Sequence, residues 1–257
     1  MRRAMCAALA RASARTGLVM TTQGGGDDLR QKIGGLLEKA SFHQREGRFD
    51  EADSLVVEAR RLAVGNLRAC VEIDLFCALA LLEQEKREQG VEALSSILTE
   101  HSDWLKSLEG REVYEVIQVE RAFSLMHLQR NLEAQPLLEE ARDFQLDPEV
   151  RSDLHCHLGR CYHEMSVFPL AKEQFERAST LGVSQEWQPV FHYYYGYTLY
   201  ELKEFQRAKR EFILCLQSGP SGPDLYLRYS MLAAASRKLG ESSEAKAYEE
   251  KAKSQRR

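Results

Sequence analysis

From Leu158 to Ala178 the chain reads L-G-R-C-Y-H-E-M-S-V-F-P-L-A-K-E-Q-F-E-R-A, and no other stretch limits the possible folds as much. Small residues stand at Gly159 and Ala171. Large ones stand at Leu158, Tyr162 and Phe175, and Ala178 follows. Two antiparallel helices approach closely only where side chains are small, so Gly159 and Ala171 mark a crossing. Leu158, Tyr162 and Phe175 fill the space beside it. The pattern returns at Tyr195-Gly196, Leu199, Ala208, Phe212 and Cys215. A helical hairpin that recurs at a fixed period cannot bury its apolar face alone, so successive copies must stack.

An alanine in the second helix of each hairpin fixes the register. These alanines are 52, 93, 134, 171, 208 and 245, at intervals of 41, 41, 37, 37 and 37. The series predicts six hairpins, over about 29–63, 66–101, 111–145, 148–181, 188–218 and 224–257, preceded by a flexible basic extension over 1–28. In the first, Ile33, Leu36, Leu37 and Ala40 keep helical spacing, Gly47 ends the helix, and Ala52, Val56 and Ala59 continue the pattern. In the second, Ile73, Phe76, Cys77, Ala80 and Leu81 form the inner face and Gly90 marks the turn. Ala93 and Ile97 take the small and large slots, and Glu100 replaces the second alanine. Ser102–Gly110 reads as an insertion, with Trp104 and Leu105 tucked against the stack. The third is patterned by Tyr114, Val119, Ala122, Leu125 and Met126, then by Ala134, Leu138 and Ala141. Pro148 opens the next helix, where a missing N–H costs nothing. Pro220 closes the fifth hairpin. The sixth carries Leu232, Ala233, Gly240, Ala245 and Ala252 with a polar second helix, as suits a terminal cap.

Composition removes several classes. Net charge is −4, which implies no broad basic surface and argues against nucleic acid as a partner. No run of about 18 apolar residues occurs, so no transmembrane helix is expected. Cysteines 6, 70, 77, 156, 161 and 215 form no CxxC pair and read as reduced core thiols in a cytoplasmic protein. The first twenty residues carry four arginines and no acid. They read either as a non-native extension ahead of Met20 or as a transit peptide, which would place the protein in the mitochondrial matrix. Asp27 or Asp28 is positioned to cap the first helix.

With L-G-x2-Y at 158–162, A-x3-F at 171–175 and their counterparts at 195–212, the chain resembles a tetratricopeptide repeat protein over about residues 29–257. The resemblance implies an all-α, right-handed α-solenoid of about six hairpins. It also implies a concave groove, lined by the first helix of each hairpin, in which ligand peptides lie. The family's Trp at the start of the first helix is absent, and His155 and His192 fall there in the two best-matched repeats. The inward positions are Cys156, Arg160 and His163 or Glu164 in repeat four, and Tyr193, Tyr197 and Tyr200 in repeat five. In repeat six they are Ser230, Ala234 and Arg237. Tyr193 and Tyr197 share a helix face, and tyrosine offers flat apolar area with a hydroxyl, which suits peptide capture. Arg160 and Arg237 are placed to hold a carboxylate. One subgroup clamps chaperone C-termini with basic and Asn side chains. Here the corresponding positions are Leu37 and Ser41 in the first repeat and Val116 and Glu120 in the third, without a positive charge.

The run His155–His163 offers five possible metal ligands, but on one helix no more than two share a face, and a structural zinc takes four. No metal and no cofactor is implied. No phosphate loop, H-E-x-x-H or nucleophile elbow occurs. The sequence therefore reads as a non-enzymatic interaction scaffold that binds a peptide or helical segment of another protein. The alternative is a dedicated chaperone or assembly factor for a secretion apparatus or an organellar complex. No oligomeric state is read from it.

Overall fold

A computed structural model describes residues 27–219 and 223–255. The basic stretch 1–20, Cys6 and Pro220 lie outside the described residues. Among the described residues there are thirteen α-helices and no strand. They are α1 Asp27–Arg45, α2 Phe49–Leu62, α3 Leu67–Glu83, α4 Arg87–Glu100, α5 Ser102–Leu105, α6 Arg111–His127 and α7 Asn131–Glu140, then α8 Pro148–Glu164, α9 Phe168–Leu181, α10 Gln188–Glu201, α11 Phe205–Gln217, α12 Leu225–Lys238 and α13 Ser242–Ser254. Two compact units divide between Arg130 and Asn131, within the predicted third hairpin. Each unit is a stack of helices paired in hairpins. Asp28 lies inside α1, paired with Lys32 at 2.8 Å, rather than before it.

In the first unit α1 pairs with α2 and α3 with α4. Ala40 and Ala52 meet at the first crossing, both fully buried, with Val56 and Ala59 beside them. The second hairpin departs from the predicted register. Gly90 is not in the turn but inside α4, buried, and a Cβ there would lie 2.2 Å from Leu82 Cδ2. The small slot is therefore Gly90, the large slot is Leu94, and Ile97 takes the place of the second alanine. Ala93 is only partly buried. Phe76, Cys77 and Leu81 are half-buried, whereas Leu75, Ala78, Leu79 and Leu82 form the core. Trp104 and Leu105, on the short α5, pack against this cluster as expected.

With Gly90 in place, every small residue of a second helix lies twelve positions after one in the first helix. The pairs are Ala40/Ala52, Ala78/Gly90, Ala122/Ala134, Gly159/Ala171, Gly196/Ala208 and Ala233/Ala245, all buried. The turns obey the same count. Five residues before each second-helix small slot the backbone is left-handed, at Gly47, Glu85, Gln129, Ser166, Lys203 and Gly240. Glycine adopts that conformation freely; the other four carry a steric cost.

In the second unit α8 pairs with α9, α10 with α11 and α12 with α13, and the first helices α8, α10 and α12 neighbour one another in order. At Gly159 and Gly196 an added Cβ would come within 2.7 and 2.8 Å of the Phe175 and Phe212 rings. The position where the family carries Trp is tied across each hairpin, always to the residue 19 further on. His155 Nδ1 bonds Gln174 at 2.8 Å, His192 Nδ1 meets Glu211 at 2.7 Å, and Tyr229 stacks on Tyr248. Second helices are linked by a recurring ion pair: Lys172 to Glu204 at 2.6 Å, and Lys209 to Glu241 at 2.6 Å and to Glu244 at 2.5 Å. Glu249 occupies the slot of Phe175 and Phe212 in the last hairpin and is paired with Arg237. A charged side chain thus stands there in place of the aromatic ring.

Candidate functional site

Asp147 begins the site's first helix: its carboxylate accepts from Val150 N at 3.0 Å, with Pro148 at the first position. That sets the phase of α8, which puts Arg160, His163 and Glu164 on one stripe. On α10 the run Tyr193-Tyr194-Tyr195 sends successive rings in three directions, because each residue turns about 100° around the axis. Tyr193 faces inward toward Phe212, with centroids 6.4 Å apart. Tyr195 turns to Phe175 and Arg207. Tyr194 turns to α8.

His163 sits where these meet. Its ring lies 5.4 Å from Tyr194, 4.8 Å from Tyr197 and 5.6 Å from Phe168. His163 Nδ1 lies 3.0 Å from Thr198 Oγ1, and the Thr198 hydroxyl donates to Tyr194 O at 2.8 Å. A hydroxyl has one proton, so Nδ1–H must be the donor to Thr198 and Nε2 carries the lone pair. Burial pushes the imidazole pKa down to about 4, against a smaller upward pull from Glu164. The ring is therefore neutral at physiological pH. Arg160 Nε bonds Glu164 at 2.9 Å and its guanidinium lies over Tyr194 at 5.3 Å. Asn131 Nδ2 also donates to Glu164.

Of the residues the sequence singled out, Arg160, His163 and Tyr197 come together here. Tyr200 lies further along α10 against Phe205, half-buried. Ser230 is half-buried on α12, and Arg237 is taken up by Glu249 of α13. Cys156 and Tyr193, expected on the surface, lie beneath it at 1% and 8% exposure. Burial pushes the Cys156 thiol well up and the Tyr193 phenol up to about 12. Their positions precede the small residue by three, which points them at the neighbouring helices. Tyr194, Thr198 and Asn131 were missed. The unbroken tyrosine run was the available signal, since one of three consecutive residues must face the preceding helix.

No protein-family model matches the sequence, and no curated protein matches it. Solved structures do. A structure described as a functional characterisation of Pseudomonas aeruginosa PilF aligns with 18% identity over 86% of this chain and 90% of its own, at a TM-score of 0.63. A tetratricopeptide repeat protein from Parabacteroides merdae aligns at 16% over 88% of this chain and 80% of its own, with a TM-score of 0.58. MamA from Desulfovibrio magneticus aligns at 16% over 73% and 94%, with a TM-score of 0.54. The fold is that of the tetratricopeptide repeat.

Within a tetratricopeptide repeat the groove positions are counted from the small residue of the first helix. In the third repeat that residue is Ala122, so the positions compared with the carboxylate clamp are Val119 and Phe123, not Val116 and Glu120. Val119 is buried at 4% exposure. Neither carries a positive charge. The His155–His163 run spreads around its helix. His155 turns to Gln174, His157 packs edge-on against Trp187 at 4.5 Å, His163 turns to Thr198, and Cys156 and Cys161 are buried.

Proposed function

We propose that the chain is a non-enzymatic scaffold that holds a segment of another protein on the first-helix face of its second unit. The observation carrying this reading is the half-exposed aromatic face of Tyr194, Tyr197 and Tyr200, with Arg160 and His163 fixed behind it. Its rings are already ordered by their neighbours, so a ligand meets flat apolar area at small entropic cost. His163 and Thr198 are committed to each other, and the buried thiols of Cys156, Cys161 and Cys215 are pushed up, so the face offers no activated nucleophile.

Five cysteines, 70, 77, 156, 161 and 215, are free thiols, which supports a reducing compartment such as the cytoplasm. No helix among the described residues is long and apolar enough to cross a membrane. The test is affinity purification with wild type and a Tyr197→Ala/Tyr200→Ala variant, quantified by mass spectrometry. Loss of the same partners from the variant is the expected result. An unchanged partner set removes the assignment of this face. A single unstable client, rather than several partners, would favour the dedicated-chaperone reading.

A further inference from the structure

Three first helices end on a glutamate: Glu83 closes α3, Glu164 closes α8 and Glu201 closes α10. A carboxylate is badly placed there, because the last carbonyls already make that end of a helix negative. Two of the three have an offset within the chain. The charge of Arg45 acts on Glu83. Glu164 holds Arg160 at 2.9 Å and Asn131, and the Arg160 guanidinium lies over Tyr194. Cation, carboxylate and phenol ring thus form one closed group at the end of α8. One repeat further on the carboxylate is kept, as Glu201. The position of Arg160 is taken by Tyr197, which lies one turn before Glu201 on the same face. Glu201 is exposed and has no ion pair or hydrogen bond among the described residues. The hydroxyls of Tyr197 and Tyr200 make none either, again among the described residues. The second copy of the group therefore keeps its carboxylate, has a phenol ring where the cation stood and Met231 where Tyr194 stood, and lacks a cation.

We propose that Tyr197, Tyr200 and Glu201 receive an arginine or lysine side chain from a basic segment of a partner protein. The proposal rests on the reading above, that this face binds a partner. An incoming guanidinium would take the part that Arg160 plays one repeat earlier, paired to the carboxylate and lying over a phenol ring. Charge over the rest of the chain points the same way. The net −4 includes +4 on residues 1–26, which hold four arginines and no acid, and +4 on 225–257, which hold eight basic and four acidic residues. Residues 27–224 therefore carry −12, a field that draws in a basic segment and repels an acidic one.

The probe is a fluorescein-labelled dodecapeptide of alternating glycine and arginine, titrated against the full chain by fluorescence anisotropy. A glycine–glutamate peptide and a peptide of residues 1–20 run alongside. Glu201→Gln and Tyr197→Leu are expected to weaken the arginine peptide at least fivefold. Glu58→Gln, which removes an exposed glutamate on α2, changes it less than twofold. Equal losses from Glu201→Gln and Glu58→Gln would mean diffuse attraction only and overturn the proposal, as would tighter binding of the glutamate peptide. Saturable binding of the 1–20 peptide, lost in Glu201→Gln and tighter than that of the arginine peptide, would overturn it in favour of the chain's own N-terminus. Glu201→Gln is expected to leave the thermal midpoint unchanged or raised, which separates a lost contact from a lost fold. If natural partners are lost from Tyr197→Ala/Tyr200→Ala but retained by Glu201→Gln, the scaffold reading stands and the basic-segment proposal fails.

Discussion

A half-buried histidine and a buried arginine show how single side chains carry this structure. His163 titrates near 4 in the folded chain against about 6.5 when unfolded. Between those values the unfolded chain binds the extra proton, so stability rises with pH across the window and falls as pH drops from about 6.5 to 4. Below the folded value both states are protonated and the slope ends. His155 is shifted in the same direction by its own burial, so the contribution of His163 must be isolated by difference. The His163→Gln variant is expected to lose less of its thermal midpoint between pH 7 and pH 5 than wild type. The imidazole proton resonance of His163 should titrate near 4; a midpoint above 6 would show that the ring is not sealed by Tyr194 and Tyr197. Arg228 lies at 1% exposure, and its guanidinium donates to Pro223 O at 2.6 Å, Cys215 O at 3.0 Å and Gly219 O at 2.6 Å. It therefore satisfies the Cys215 carbonyl in the last turn of α11 and those of Gly219 and Pro223 beyond it. Arg228→Met keeps much of the volume but strands those carbonyls, and a loss of about 3 kcal/mol in urea denaturation is expected.

At the scale of the helices, the hairpin is defined by two small residues twelve apart with a left-handed turn between them. Gly90→Ala tests that definition in the second hairpin, where the small slot of the second helix was misread. The new methyl would lie 2.7 Å from Leu82 Cγ in a closed crossing, so a loss of about 1–3 kcal/mol is expected. Ala93→Ser, on the slot the alanine series selected, should change stability by less than about 0.5 kcal/mol. The reverse order in thermal unfolding would restore the alanine register. The misreading has a physical cause. Glycine is the usual residue for a turn, and a partly buried alanine lay near enough to continue a spacing of 41. The first helix held the correction: twelve residues before Ala93 stands Leu81, whereas twelve before Gly90 stands Ala78. In the hairpins that lie within one unit the pairing and its core were otherwise legible, because helix crossing leaves a local mark of small and large residues. The site was legible only in part. Arg160 and His163 follow from the phase of α8, and Tyr197 from that of α10. The pairing of Arg160 with Tyr194, or of Asn131 with Glu164, depends on the rotation between successive hairpins, which leaves no such mark in the sequence.

Over the whole chain the small slots of the second helices fall at 52, 90, 134, 171, 208 and 245, spaced 38, 44, 37, 37 and 37. The spacing of 44 contains the first unit's α5 insertion, and the uniform ones belong to the second unit. There the Lys172–Glu204 and Lys209–Glu241 pairs each span 32 residues and recur at 37, alongside the rings of Phe175, Phe191 and Tyr195. In a stack of this kind each hairpin's stability is its own plus that of its interfaces, so a hairpin with one neighbour opens before one with two. Within the second unit α10 and α11 have hairpins on both sides. The helix α13 packs mainly on α12 and buries only Ala245 and Ala252. Amide hydrogen exchange followed by mass spectrometry should therefore show α13 exchanging first and α10 and α11 last, through sub-global opening. The Lys209 bridge bears on the same order, because it joins α11 to Glu241 just before α13 and to Glu244 within it. Lys209→Met should speed exchange in α13 while leaving α10 nearly unchanged. Protection of α13 equal to that of α10 would mean that the second unit opens as one cooperative body rather than hairpin by hairpin.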